Sequence, residues 1–287
     1  MPGLIVLVLS VLATGAPVGG GWAKIYETPD QSRWISAVWL AKDGSWRAAS
    51  NNRILTGDAR TVRTTELGAY DVYAFGEDAA GDVLAVGSRQ AIWEEKPEGW
   101  KRVHERPGPE PRGRAAHHDI LEGVGYFDAE HPDRLLAFAS TSFALWRAPD
   151  GAWTPADGSG AAQRAVEGPR VDLPKGCAMA SWGWLDRSDG FLRCQDGRGF
   201  AYAGTARTLS PLARMPAECR RDLPAVTRAG TTLFAACGAE GRIWQSSAGA
   251  DRWTPLPAPA GVRLLQARNG CLLAATKRAV YRRCAER

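Results

Sequence analysis

The sequence predicts an all-β fold, a six-bladed β-propeller of four-stranded antiparallel blades, on three observations. A short apolar segment recurs six times, at 46–50, 84–88, 136–140, 192–196, 234–238 and 273–277. A second apolar pair follows each copy after a tight turn: Ile54-Leu55, Ile92-Trp93, Leu145-Trp146, Ala201-Tyr202, Ile243-Trp244 and Val280-Tyr281. The unit of strand, turn and strand returns roughly every 40 to 55 residues, the period of small sheets arranged radially. The third observation is at the ends, where the N-terminus carries one strand in surplus and the last repeat is one strand short.

Each repeat reads as four strands joined by polar turns. Inner strands precede the recurring segment, at 34–40, 70–75, 118–127, 178–185, 223–228 and 262–267. Outer strands follow the second pair, and four begin with tryptophan, at 22–26, 100–103, 153–155 and 253–255. The other two lie at 60–63 and 207–210. After the strand near 279–283 the chain ends without an outer strand, whereas the segment from Trp22 has no blade of its own. Pairing the two closes the ring and leaves no open sheet edge. With 12 Trp and 32 Gly in 287 residues, the propeller is expected to be one domain, residues 17–287.

The apolar run 4–13 is shorter than the roughly 20 residues that cross a bilayer, and it suits the apolar core of a secretory signal. Small residues at Val11/Ala13 and Thr14/Ala16 offer cleavage positions, which gives a signal peptide over 1–16. Met1-Pro2-Gly3 carries no Lys or Arg, and a buried N-terminal strand is the alternative. No cysteine directly follows the run and no second apolar span exists, so a soluble periplasmic or secreted protein without a membrane span is expected. The six cysteines, Cys177, Cys194, Cys219, Cys237, Cys271 and Cys284, are even in number and form no CxxC motif. Zinc is therefore not expected, nor any other metal or cofactor. Cys271 and Cys284 flank the turn at Lys277-Arg278 symmetrically, within disulfide reach across a hairpin. Cys177/Cys194 and Cys219/Cys237 repeat nearly the same spacing, so three bridges within blades are expected. Cys194–Cys219 is the competing pairing, and reduced thiols in the cytosol are the alternative state.

Two turns that end in tryptophan, Pro149-Asp150-Gly151-Ala152-Trp153 and 247–253, resemble degenerate Asp-boxes. Such turns mark the sialidase-like, sortilin-like and photosystem-II-assembly-factor-like propellers. The resemblance implies the same architecture over most of the chain. The regular Ser-x-Asp-x-Gly-x-x-Trp spacing is met in no repeat, and Asp-boxes are structural turns, so no activity is implied.

In such a blade, the turns between strands two and three and the linkers between blades gather on one face, and the two hairpins gather on the other. The first face receives Arg33, Arg53, Arg89, Arg112, Arg114, Arg170, Lys175, Arg198, Arg220, Arg221, Arg242, Arg263 and Arg278. The second receives Asp43, Asp58, Asp78, Asp82, Glu98, Asp128, Glu130, Asp133, Asp150, Asp186, Asp189 and Asp251. A net charge of +5 then conceals two opposed faces, and such fields recruit partners of opposite charge. The basic face also carries the long loops 107–116 and 156–176, and long loops on a rigid scaffold commonly serve recognition. Arginine suits carboxylate, sulfate or phosphate.

No catalytic residue is assigned. His117-His118-Asp119 cannot all converge, because neighbours on a strand point to opposite sides; His118 alone could enter the channel from the basic mouth. A sialidase-like site needs an arginine triad, a Tyr–Glu pair and an acid, and only the fragments Tyr70-Asp71 and Glu122/Tyr126 are present. The pairs Trp34/Trp39 and Trp182/Trp184 suit packing between blades, with sugar stacking as the alternative. The leading expectation is an exported, non-enzymatic monomer that binds an anionic protein or glycan, and not nucleic acid, through Arg33, Arg89, Arg112, Arg114, His118, Arg170, Lys175, Arg198, Arg220, Arg221 and Arg263. A hydrolase or lyase acting on an anionic sugar in the channel and a passive scaffold are the alternatives.

Overall fold

The computed structural model describes residues 21–58, 61–106, 108, 120–127, 131, 133–140, 143–156, 160–168, 171–185, 189–204, 206–220, 225–247 and 250–284. Among the described residues, twenty-four strands form six four-stranded antiparallel sheets. Blade 1 holds β2 (Ile35–Leu40), β3 (Trp46–Ser50), β4 (Arg53–Gly57) and β5 (Val62–Glu66). Blade 2 holds β6 (Val72–Glu77), β7 (Val83–Gly87), β8 (Ile92–Lys96) and β9 (Gly99–His104). In blade 3, β10 (Gly123–Gly125), β11 (Leu136–Ser140), β12 (Phe143–Arg147) and β13 (Trp153–Pro155) follow. A helix, α1 (Ala161–Glu167), leads into blade 4, which holds β14 (Met179–Trp184), β15 (Gly190–Cys194), β16 (Gly199–Ala203) and β17 (Thr208–Pro211). Blade 5 holds β18 (Ala225–Ala229), β19 (Thr232–Cys237), β20 (Arg242–Ser247) and β21 (Thr254–Leu256). The last sheet has the order β1-β24-β23-β22, with β1 (Ala23–Glu27), β22 (Leu264–Arg268), β23 (Cys271–Ala275) and β24 (Ala279–Cys284).

The ring therefore closes as the strand surplus implies. Ala23 pairs with Arg282 and Glu27 with Ala279, antiparallel. A hydrogen bond from Thr28 N to Arg278 O (2.8 Å) continues the β1–β24 pairing, and one from Ile35 N to Lys277 O (2.8 Å) ties blade 1 to blade 6. The signal-peptide reading of residues 1–16 lies outside the described residues.

The second strand of a blade has neighbouring blades against both faces. Every residue of β3, β7, β15 and β23 is buried, as in a strand covered on both sides, and period-two alternation disappears. Close packing favours small residues there, and Ala48, Ala49, Ala85, Ala274 and Ala275 are fully buried. Trp46 shows the tolerance: a Cβ at Gly57 would come within 2.3 Å of its ring, so this position of β4 admits only glycine.

All six cysteines are paired, as Cys177–Cys194, Cys219–Cys237 and Cys271–Cys284. The alternatives, Cys194–Cys219 or free thiols, are thereby set aside. The first two bridges tie an incoming linker to the far end of the second strand; the third joins register partners of β23 and β24. Three disulfides are those of a chain folding in an oxidising compartment. Among the described residues, no helix is long and apolar enough to cross a membrane.

Two elements differ from the sequence reading. The third inner strand is short, because residues 120–122 change blades: Ile120 bridges Ser88 and Leu121 N bonds to Gly87 O, whereas Glu122 N bonds to Phe138 O. Residues 118–119 of the expected strand lie outside the described residues. The stretch 156–176, read as one open loop, contains α1. Its alanines favour helix, and Ala161, Ala162 and Ala165 are buried while Trp184 Nε1 donates to Ala165 O (2.6 Å). Part of that stretch is thus core rather than recognition loop.

Candidate functional site

The observed topology gives the propeller a linker face, with the inter-blade linkers and the turns between second and third strands, and an opposite hairpin face. A channel of about 610 Å³ runs between them along the inner strands β2, β6, β10, β14, β18 and β22.

The described basic residues of the linker face form separate islands. In blade 4, Arg198 donates to Asp196 (2.7 Å) and to the carbonyl of Lys175 (3.2 and 3.3 Å). At the ring closure, Arg33 lies 3.8 Å from Asp30 and reaches Asn52 Oδ1, while Arg278 donates to Thr28 O. In blade 2, Arg89 and Arg102 flank the Tyr70 ring, their guanidinium carbons 5.4 and 4.8 Å from its centroid. Both pair with Glu105, at 3.0 and 3.1 Å, and Tyr70 donates its hydroxyl to the same carboxylate at 2.6 Å. That hydrogen bond pushes the Tyr70 phenol up and holds the Glu105 carboxyl down, because ionising both would bring two negative charges together. Arg89 sits at φ 59° beside Gln90 at φ 52°, a left-handed turn that costs a non-glycine residue about 1–2 kcal/mol.

Lys175, Arg263 and Lys277 are exposed, and no ion pair engages them among the described residues. Arg112, Arg114, His118, Arg170 and Arg221 lie outside the described residues, as do His117 and Asp119. Arg220 ends a short 3₁₀ helix, Ala217–Arg220.

The charge sort missed carboxylates on the basic face itself. Asp30, Glu66, Glu105, Asp196 and Glu240 partner Arg33, Arg53, Arg89, Arg198 and Arg242. Such exposed pairs contribute only about 0–1 kcal/mol, so an incoming anion can displace them. The same face carries exposed apolar groups, among them Trp34, which the sequence reading assigned to packing between blades. Trp34, Leu173 and Met179 are 47, 41 and 39 % exposed, and Tyr73 enters the channel near its linker-face mouth.

The hairpin-face mouth was not anticipated. Glu77, at the end of β6, receives Arg268 from the end of β22, a pair that reaches across blade 1 beside the Trp39 ring. Lys42 joins them at 2.7 Å. Burial alone would raise the Glu77 carboxyl, but hydrogen bonds from Arg268 and Lys42 hold it below its ordinary value. Asp78 accepts three backbone N–H groups of its own turn and pairs with Arg147 at 2.9 Å. Arg228 pairs with Asp189 at 2.6 Å. Aromatic walls face this mouth: Trp39 on one side, Phe127 stacked on Trp184 (5.6 Å) on the other. A charged residue at the end of an apolar inner strand was the readable signal, visible at Glu77, Arg228 and Arg268. Among the described residues, no three His, Cys, Asp or Glu side chains are grouped to hold a metal.

No family model matches the chain, and no curated protein matches it. Among solved structures, the β-propeller domain of Cps50 (Swd1) from Myceliophthora thermophila superposes with TM-score 0.62 at 11 % identity, over 92 % of this chain and all of that one. A chain of the mitotic checkpoint complex gives TM-score 0.60 at 8 % identity, covering 99 % of both. A structural-genomics protein of unknown function from Bacteroides thetaiotaomicron gives 0.56 at 11 %, over 98 % of this chain and 76 % of that one. The Asp-box subtype is supported by no family match. At these identities the likeness is one of fold, and the chain is a six-bladed β-propeller.

Proposed function

We propose that this propeller is exported, to the periplasm or beyond the cell, and binds an anionic protein or glycan through its linker face without catalysing a reaction. One observation carries the reading. Four of the five large apolar side chains exposed among the described residues, Trp34, Tyr73, Leu173 and Met179, lie toward that face, together with the exposed cations Lys175, Arg263 and Lys277, which no ion pair engages among the described residues. Exposed apolar groups rimmed by charge are the usual composition of an interaction surface. The three disulfides support an oxidising location.

Immobilised heparin tests the reading. The protein should be retained at low salt and released as the screening length falls from about 30 Å at 0.01 M to about 8 Å at physiological ionic strength. Replacing Lys175, Arg263 and Lys277 together by Ser should abolish retention, whereas replacing the outer-strand residues Lys24, Arg63 and Lys101 should leave it intact. Equal losses in both triple variants would show that total charge is responsible, and the passive scaffold would then be the better reading.

A further inference from the structure

The polar groups of the channel include spent carboxylates and unspent donors. Glu77 is held by Arg268 and Lys42. Asp78 is held by Arg147 and three backbone N–H groups, and Asp189 by Arg228 and Gly204 N. No channel carboxylate among these is left to accept from a ligand. Arg268, Asn269 and Ser36 donate within the protein, but other donors are in the opposite condition. Gln266 accepts from Leu40 N through Oε1, and its amide nitrogen has no acceptor among the described residues. Arg228 gives one nitrogen, Nη2, to Asp189 in a pair whose side chains are 32 and 23 % exposed. The other N–H groups of Arg228 have no acceptor among the described residues, so it can hold Asp189 and still donate to a ligand. The Tyr73 hydroxyl is likewise unengaged among the described residues, and Trp39 Nε1 is buried without a partner.

These donors line one cavity with Trp39, Phe75, Phe127 and Trp184, and its volume lies within the range of roughly 300–1,000 Å³ typical of small-molecule sites. We propose that the channel binds a small organic carboxylate with an aromatic or apolar body. The carboxylate bonds to Arg228 and the Gln266 amide, since a guanidinium fork donates to both oxygens of such a group. The body lies between Trp39 and the Phe127–Trp184 stack. Apart from Tyr73, this site shares no residue with the partner surface on the linker face.

3-Phenylpropionate and its neutral isostere 3-phenylpropanamide separate the possibilities, read by tryptophan fluorescence and calorimetry on the native protein. The acid should bind saturably, and the amide about 10- to 100-fold more weakly, the worth of a charge-assisted hydrogen bond. Arg228→Gln should weaken the acid by the same factor and leave the amide unchanged, and Arg263→Gln on the linker face should change neither. Equal affinity for acid and amide overturns the proposal, as does the absence of saturable binding of the acid up to about 10 mM. The comparison of acid with amide uses the native chain, so it holds even if Arg228→Gln folds poorly. Loss of heparin retention in the linker-face variant with intact acid binding would leave this site standing.

Discussion

At the residue scale, the aspartates of the hairpin face are largely turn-formers. Asp43, Asp58, Asp78 and Asp150 each accept a backbone N–H two or three residues on, from Ser45, Thr61, Ala80 and Ala152. This is the local bond that makes Asp favourable in tight hairpins. The sequence displays their sorting by face, and turn chemistry explains it without a ligand. The arginine partners were not legible, since Glu77 meets Arg268 across 191 positions and no local pattern reports that encounter. Glu77 is nearly buried, so Glu77→Gln should destabilise by about 3–5 kcal/mol by leaving Arg268 without its charge partner. Its carboxyl is lowered in the folded state from 4.5, so its stabilisation is present above the unfolded value and is lost as pH falls through the folded one. Acid denaturation curves should accordingly fall more steeply for the native protein than for Glu77→Gln; parallel curves would contradict the assignment. At Arg89, φ 59° predicts that Arg89→Gly is more stable than Arg89→Ala by about 1 kcal/mol, because both lose the same contacts but only glycine adopts the turn freely. Equal denaturant midpoints would show that the turn relaxes instead.

At the element scale, the second strands were the most legible part of the chain, because burial on both faces leaves an uninterrupted apolar segment. Their turns and outer strands were placed within a few residues, and β13 matched its expected bounds, 153–155. The short β10 was not readable, since its neighbours bond to blade 2 on one side and to blade 3 on the other. Helix α1 was hidden by flanking Gly and Pro residues that suggested an open loop. The closing blade is the element on which the ring depends. Replacing Cys271 and Cys284 together by Ser should cost about 2–3 kcal/mol in denaturant unfolding, the lower end for native bridges closing short loops. Deleting residues through Tyr26 should cost more, because it removes most of β1 and exposes the edge of β24 to association. A truncated chain that stays monomeric with an unchanged midpoint would contradict closure by shared strands.

At the scale of the whole molecule, the propeller presents two mouths of different character. The hairpin mouth holds carboxylates paired with cations inside an aromatic frame, whereas the linker face holds exposed apolar groups and displaceable ion pairs. The sequence made the linker face visible through its arginines, but not the exposure of Trp34, because a tryptophan before an inner strand reads as core until the linker is seen to turn outward. The central claim is that the linker face is the partner surface. Hydrogen–deuterium exchange with and without a heparin oligosaccharide tests it most directly. Protection is predicted in the linkers 28–34, 67–71, 171–178 and 257–263 and the turn 276–278, with the hairpins 41–45 and 78–82 unchanged. Protection centred on those hairpins, or spread evenly over both faces, would contradict it.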